Sequence, residues 1–141
     1  MTTITKGNAV FSVDLDATRA YYTTHSLCEC GCCRNLYAQI KTRYPQLEEF
    51  LSAFGADICR PDEAAGVEME DHIDYLFVGY TVTGALETKG PYETDIGSLH
   101  VTISRGDTPW DTFPHQQTKP CFFVSVSGIS LPQVLPEPFP G

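Results

Sequence analysis

Residues 72–86 read HIDYLFVGYTVTGAL, and the reading of this stretch decides the fold. β-Branched and aromatic side chains dominate it, a composition that suits a pleated, half-buried surface. It predicts a strand over about residues 73–84. Downstream, ETKGP (87–91) is a turn signal, because Gly and Pro punctuate regular structure, and YETDI (92–96) can pair back as a hairpin. SLHVTIS (98–104) alternates, with Leu99, Val101 and Ile103 on one face and His100 and Thr102 on the other. Period two is the strand signature. CFFVSVSGI (121–129) reads as the last strand, over about 121–127.

Upstream the spacing becomes helical. Cys33, Leu36, Tyr37, Ile40 and Tyr44 recur at three and four residues and draw one helix face over about 33–43. Pro45 interrupts that face and suits the first position of a second helix, about 46–54, with Glu48 and Glu49 near the positive end of its dipole. Leu47, Phe50, Leu51 and Phe54 form its apolar side, and Gly55 stops it. AVFSVDL (9–15) reads as a first strand, after which Asp16 caps a short helix through ATRAYY (17–22). ADICRPDEAAGV (56–67) reads as a connector with a short extended piece at Asp57–Cys59. This order argues an α+β fold: a mostly antiparallel β-sheet or small sandwich carrying a helical pair from the N-terminal half.

The 141 residues suit a single domain. The tail LPQVLPEPFPG (131–141) holds four prolines, which exclude helix and central strand and favour an extended run. A hydrophobic content of 42% is enough to bury a core without covalent staples. Net charge is −9, from 9 basic and 18 acidic residues. That balance argues against nucleic acid and anionic membranes, whose phosphates need clustered Lys and Arg. It permits a basic protein partner. The N-terminal stretch has no apolar run of signal-peptide length and no segment approaches membrane-spanning length, so a cytoplasmic location is expected. There, cysteines are more often reduced thiols or metal ligands than disulfides.

HSLCECGCCRNLY (25–37) carries the densest chemistry in the chain, and three readings of it stay open. In the first, His25, Cys28, Cys30 and Cys33 hold zinc, which takes about four nitrogen or sulfur ligands at tetrahedral corners. Cys30 and Cys33 are then obligatory ligands, Cys28 and His25 complete the set, and Cys32 points away. In the second, Ser26 to Glu29 forms an S-x-x-E capping box, and a helix from about Leu27 to Tyr44 makes Cys30 and Cys33 core thiols on the Leu36/Ile40 face. In the third, Cys30 to Cys33 is a C-x-x-C redox motif, a reading that needs a strand–helix–strand setting. Cys28 and His25 can be ligands only if the helix starts later than Leu27.

Elsewhere, the loop RGDTPWDTFPHQQTKP (105–120) offers Trp110, Phe113 and His115 either as a contact surface or as a cap on the core. Glu68, Glu70, Asp71 and Asp74 lack the calcium-loop pattern and read as a solvated loop and strand edge. No nucleophile elbow, phosphate-binding loop or dinucleotide fingerprint occurs.

The blocks YYTTHSLCECGCCRNLYAQI, FLSAFGADICRPDEA, DHIDYLFVGYTVTG and LPEPFP resemble a family of small, uncharacterised bacterial proteins over most of the chain. The resemblance implies a bacterial, cytoplasmic protein and brings no activity, ligand or catalytic residue with it. The functional expectation is therefore a small binding or interaction protein with a structural zinc site at a cysteine-rich helix start, with no catalytic residue assigned. The alternatives are a thiol-dependent enzyme or redox protein using Cys30 and Cys33, and an inhibitor of a basic protein.

Overall fold

The computed structural model describes residues 1–24, 27–88, 92–104 and 120–133. The elements run β1 (Thr2–Lys6), β2 (Ala9–Val13), α1 (Leu15–Thr24), α2 (Gly31–Arg43), α3 (Pro45–Ala53), β3 (Glu63–Glu68), β4 (His72–Leu86), β5 (Tyr92–Ile96), β6 (Leu99–Ser104), β7 (Cys121–Ser127) and β8 (Ile129–Pro132). The fold is α+β: one eight-stranded sheet in the order β1-β2-β4-β7-β6-β5, with β3 and β8 also paired to β4. All these pairings are antiparallel. The helices expected over about 33–43 and 46–54 and the strands expected near 73–84, 98–104 and 121–127 are all present.

Strand β4 is the spine. Its fifteen residues pair with β8 through His72–Tyr75, with β7 through Val78–Thr83, with β3 through Ile73–Gly79 and with β2 through Gly84–Leu86. Residues 78–84 are buried in succession, so both faces of the strand are covered there. The alternating inward residues of β6 and β7 meet Phe11 and Val13 of β2 and the apolar faces of α2 and α3 in one core. Phe11, Phe54 and Phe122 meet at ring-centroid distances of 5.2, 5.4 and 5.9 Å. Edge-to-face and offset contacts of this kind add to the area buried. Pro45 opens α3, and Gly55, with φ of 82°, follows its C-cap Phe54 as the spacing predicts.

Several local expectations are corrected. The strand expected over residues 9–15 is β2 and ends at Val13, and the cap of α1 is Asp14, whose Oδ1 accepts the Ala17 N–H at 3.0 Å. Asp16 sits inside the helix instead. Residues 58–60 form a turn, not an extended piece, and Glu63–Glu68 of the expected connector is strand β3. β5 pairs with β6 and not with β4, because Gly97 (φ 60°) and Ser98 make the tight two-residue turn between them. β1 was not expected. The tail is strand as far as Pro132. Residues 134–141, residues 89–91 of the expected turn, and residues 105–119 of the expected loop, with Trp110, Phe113 and His115, lie outside the described residues.

Gly84 is where β4 turns onto β2. Its φ is 148°, and a Cβ there would stand 2.1 Å from the carbonyl oxygen of Ser12. Gly84→Ala should therefore cost at least about 3 kcal/mol, combining backbone strain with overpacking. Gly97→Ala, with nothing within 4 Å of the added carbon, should cost about 1 kcal/mol for its positive φ alone. Urea denaturation of the two variants checks this, and equal losses would contradict it.

Candidate metal centre

Helix α2 begins at Gly31, not at Leu27. Cys30 is extended (φ −68°, ψ 162°) and is the N-cap, its Sγ accepting the Cys33 N–H at 3.4 Å. Its own carbonyl takes the first helical bond, from the Arg34 N–H at 2.9 Å. In a helix capped by Ser26, the carbonyls of Cys28 and Glu29 would accept the N–H groups four residues on. Here they accept side chains that fold back from the second turn instead: Tyr37 Oη at 2.9 Å to Cys28 and Arg34 Nε at 3.1 Å to Glu29. Gly31, costly inside a helix, occupies the first helical position. The capping-box expectation is thus overturned at its helix start, and the condition that frees Cys28 to act as a ligand is met.

This local arrangement gathers Cys28, Cys30 and Cys33, with their sulfurs all within 4.8 Å of one another. Two sulfurs about 2.3 Å from one tetrahedral zinc stand about 3.8 Å apart, so a small adjustment would bring the trio onto one ion. Among the described residues no other group of three His, Cys, Asp or Glu side chains is so placed. Cys28 is exposed, Cys30 is half-buried and Cys33 is buried. His25 and Ser26 lie outside the described residues. All six cysteines are free thiols.

Cys30 and Cys33 are shifted in opposite directions. Burial works against a thiolate at Cys30, but the N–H groups of Cys33 and Cys32 and the neighbouring thiols outweigh it and hold Cys30 below its ordinary value. Burial, then the interactions with Cys30 and Cys28, push the Cys33 thiol well up. Tyr37 is likewise pushed up, by burial and by Cys33.

Cys32 behaves differently. Its sulfur lies 3.7 Å from Glu68 Oε1 on β3, and burial together with that carboxylate raises its pKa. It is half-buried, packed against the edge of the core. Its carbonyl accepts Tyr75 Oη of β4 at 2.6 Å, which fastens the helix start to the sheet. Cys33 alone takes the core-thiol position that the helix spacing assigns to both Cys30 and Cys33. The C-x-x-C pair opens a helix that stands between two other helices, not between strands.

The supporting residues Arg34, Tyr37 and Tyr75 carry no motif, and only Tyr37 stood out, as part of the helix face. Sequence reading also missed a carboxylate held by two hydroxyls: Tyr21 Oη and Thr81 Oγ1 both donate to Asp62. Burial and then Asp62 push the Tyr21 hydroxyl up strongly. The acidic run near His72 is a solvated strand end, where Asp71 and Asp74 flank the imidazole at 2.8 and 3.2 Å.

No protein-family model, curated protein or solved structure matches this chain. Among the described residues no helix is long and apolar enough to cross a membrane.

The exposure and protonation pattern predicts an order of reaction. In metal-free protein near pH 8, iodoacetamide should modify Cys28 and Cys30 first, because they are accessible and Cys30 is the more readily ionised than Cys33. Cys33 should resist until the chain unfolds. Mass-spectrometric mapping over time reads the order, and native-state alkylation of Cys33 as fast as Cys28 would contradict it.

Proposed function

We propose that Cys28, Cys30 and Cys33 hold a structural zinc ion, with His25, three residues before Cys28, as the fourth ligand, in a small cytoplasmic binding protein. The observation that carries this reading is the convergence of three sulfurs at a helix start that Cys30 itself caps. Thiolates are soft ligands that favour zinc over magnesium or calcium, and a set of three sulfurs and one nitrogen leaves no open position for substrate. Such a site stabilises rather than catalyses. The ion would fasten the irregular segment before α2 to its first turn, and binding free energy would become folding free energy. A reducing compartment keeps the thiols available for this role.

A thiol-dependent enzyme or redox protein is the second reading, favoured by the lowered pKa of Cys30. The two separate on metal content and nucleophilicity. Under the zinc reading, protein purified without chelator contains about one zinc per chain, and its thiols react slowly until the metal is stripped. Removing the metal should lower the melting temperature by roughly 10 °C. Cys30→Ser and Cys33→Ser should lose the ion, whereas Cys32→Ser should keep it. Metal-free native protein with a melting curve indifferent to chelator would reject the proposal.

A further inference from the structure

The β3–β4 hairpin carries a surface that neither the core nor the thiol site accounts for. Among the described residues four large apolar side chains are exposed, and three of them lie here: Val67, Met69 and Leu76, at 43%, 47% and 63% of full exposure. They share one face. Side chains alternate along a strand. Ala64 packs against the core, so Glu63, Ala65 and Val67 turn outward, and Met69 continues the row. Val67 stands opposite Asp74, whose neighbours Ile73 and Tyr75 are buried. The register jumps from Ala65 opposite Phe77 to Gly66 opposite Tyr75, which leaves Leu76 as a bulge with no residue across from it. A bulge re-aims side chains, and here it adds Leu76 to the exposed face.

The strand edge beside this face is open. β3 pairs with β4 alone, and among the described residues no backbone group of residues 63–68 bonds outside that ladder. The Met69 N–H donates to the His72 carbonyl at 2.8 Å, so Met69 bonds toward β4. By alternation Gly66 and Glu68 present their backbone groups outward. Glu63, Glu68, Glu70, Asp71 and Asp74 surround the edge, and no lysine or arginine occurs between residues 61 and 88. Glu68 meets the Cys32 thiol at 3.7 Å, Asp74 accepts Ser130 Oγ at 2.9 Å, and the imidazole of His72 lies between Asp71 and Asp74. A protonated His72 would answer only one of the five charges. Among the described residues none of the five pairs with a lysine or arginine, and Glu63 and Glu70 have no side-chain partner.

We propose that the outer edge of β3 docks an extended, basic segment of another protein, which joins the sheet as a further strand. This gives the binding protein proposed above a class of partner, and it does not rest on the zinc ion. Main-chain bonds to Gly66 and Glu68 would supply affinity. Apolar side chains at alternate positions would cover Ala65 and Val67, and basic ones between them would meet Glu68 and, past the strand end, Glu70. A second copy of this chain fits poorly. Antiparallel pairing of β3 with itself, in register, sets Glu63 against Glu68, and like charges directly opposite are destabilising. The carboxylates that guard this edge against self-pairing thus select a cationic strand.

The test is a ¹⁵N NMR titration of the full chain with three synthetic heptapeptides, each acetylated and amidated. KVKVKVK is the probe, EVEVEVE reverses its charge, and KGKGKGK keeps the charge without the apolar face. KVKVKVK should give saturable shifts confined to residues 63–77. EVEVEVE should give none, and KGKGKGK should bind at least tenfold more weakly. E63K/E68K should weaken KVKVKVK at least tenfold and bind EVEVEVE instead, with the rest of the spectrum unchanged, which verifies the fold. V67K alone serves if the double variant is unstable, with a weakening of at least threefold. Zinc content measured on the same sample lets the two proposals fail separately. Absence of saturable shifts with KVKVKVK would overturn the proposal. So would equal binding of KGKGKGK, shifts scattered over the surface, a variant that binds like the parent chain, or self-association of the peptide-free chain through residues 63–68.

Discussion

The pairing demand of strand β4 is the constraint on which the rest of the molecule depends. A strand of fifteen residues exposes more backbone donors and acceptors than one partner can satisfy, and buried backbone groups must be paired. β4 meets that demand by taking β2 and β3 on one side and β7 and β8 on the other. The helices then hang from it. Thr18 Oγ1 of α1 accepts the Thr83 N–H at 3.0 Å, and Tyr22 donates to the Thr81 carbonyl at 2.8 Å. Tyr80 donates to the Ile58 carbonyl at 2.7 Å, and Tyr75 to that of Cys32 at 2.6 Å. β8, placed by β4, presents the Pro132 carbonyl, which accepts the amides of Asn35 and Gln39 at 3.0 and 2.7 Å. Each such bond contributes about 1 kcal/mol net, but leaving a buried partner unmade would cost more. Together they fix where α2 begins and which way its first turn faces.

The thiol trio follows from a local competition at that start. Two caps were available to the chain, the hydroxyl of Ser26 and the sulfur of Cys30. A sulfur is the weaker acceptor. It prevails here with the help of Tyr37 and Arg34, whose donors hold the Cys28 and Glu29 carbonyls away from helical bonding. Starting at Gly31 spares the helix an interior glycine. The result preorganises three thiols on one side of the helix head, and a site that is already assembled requires little ordering to bind an ion.

Elements with strong periodicity were legible in the sequence. Cys121–Ser127 and Leu99–Ser104 alternate because one face meets the core, and the α3 face is set by Leu47, Leu51 and Phe54. β3 was not legible, because EAAGVE has no apolar pattern and is held by backbone pairing to β4, the next strand in the chain. β1, TTITK, is an exposed edge strand with little to bury. The partner of β5 depended on the Gly97–Ser98 turn, a signal overshadowed by the Gly-Pro pair at 90–91. At the site, spacing identified Cys30 and Cys33 but could not choose between caps, since that choice is made by Arg34 and Tyr37 from the next turn. A cleft lined by Arg19 of α1, Lys41 of α2 and Arg60 of the turn after α3 was invisible in sequence, because these residues come together only through tertiary packing.

The central claim is that the start of α2 at Gly31 turns three cysteines into one thiolate site for a metal. Cobalt(II) titration of the metal-free chain under reducing conditions tests it most directly, because cobalt reports both ligand type and geometry. The account predicts thiolate-to-cobalt charge-transfer absorption and the intense visible bands of a tetrahedral centre, saturating at about one equivalent and displaced by zinc. Weak, octahedral-type absorption that rises without saturation and ignores added zinc would contradict it.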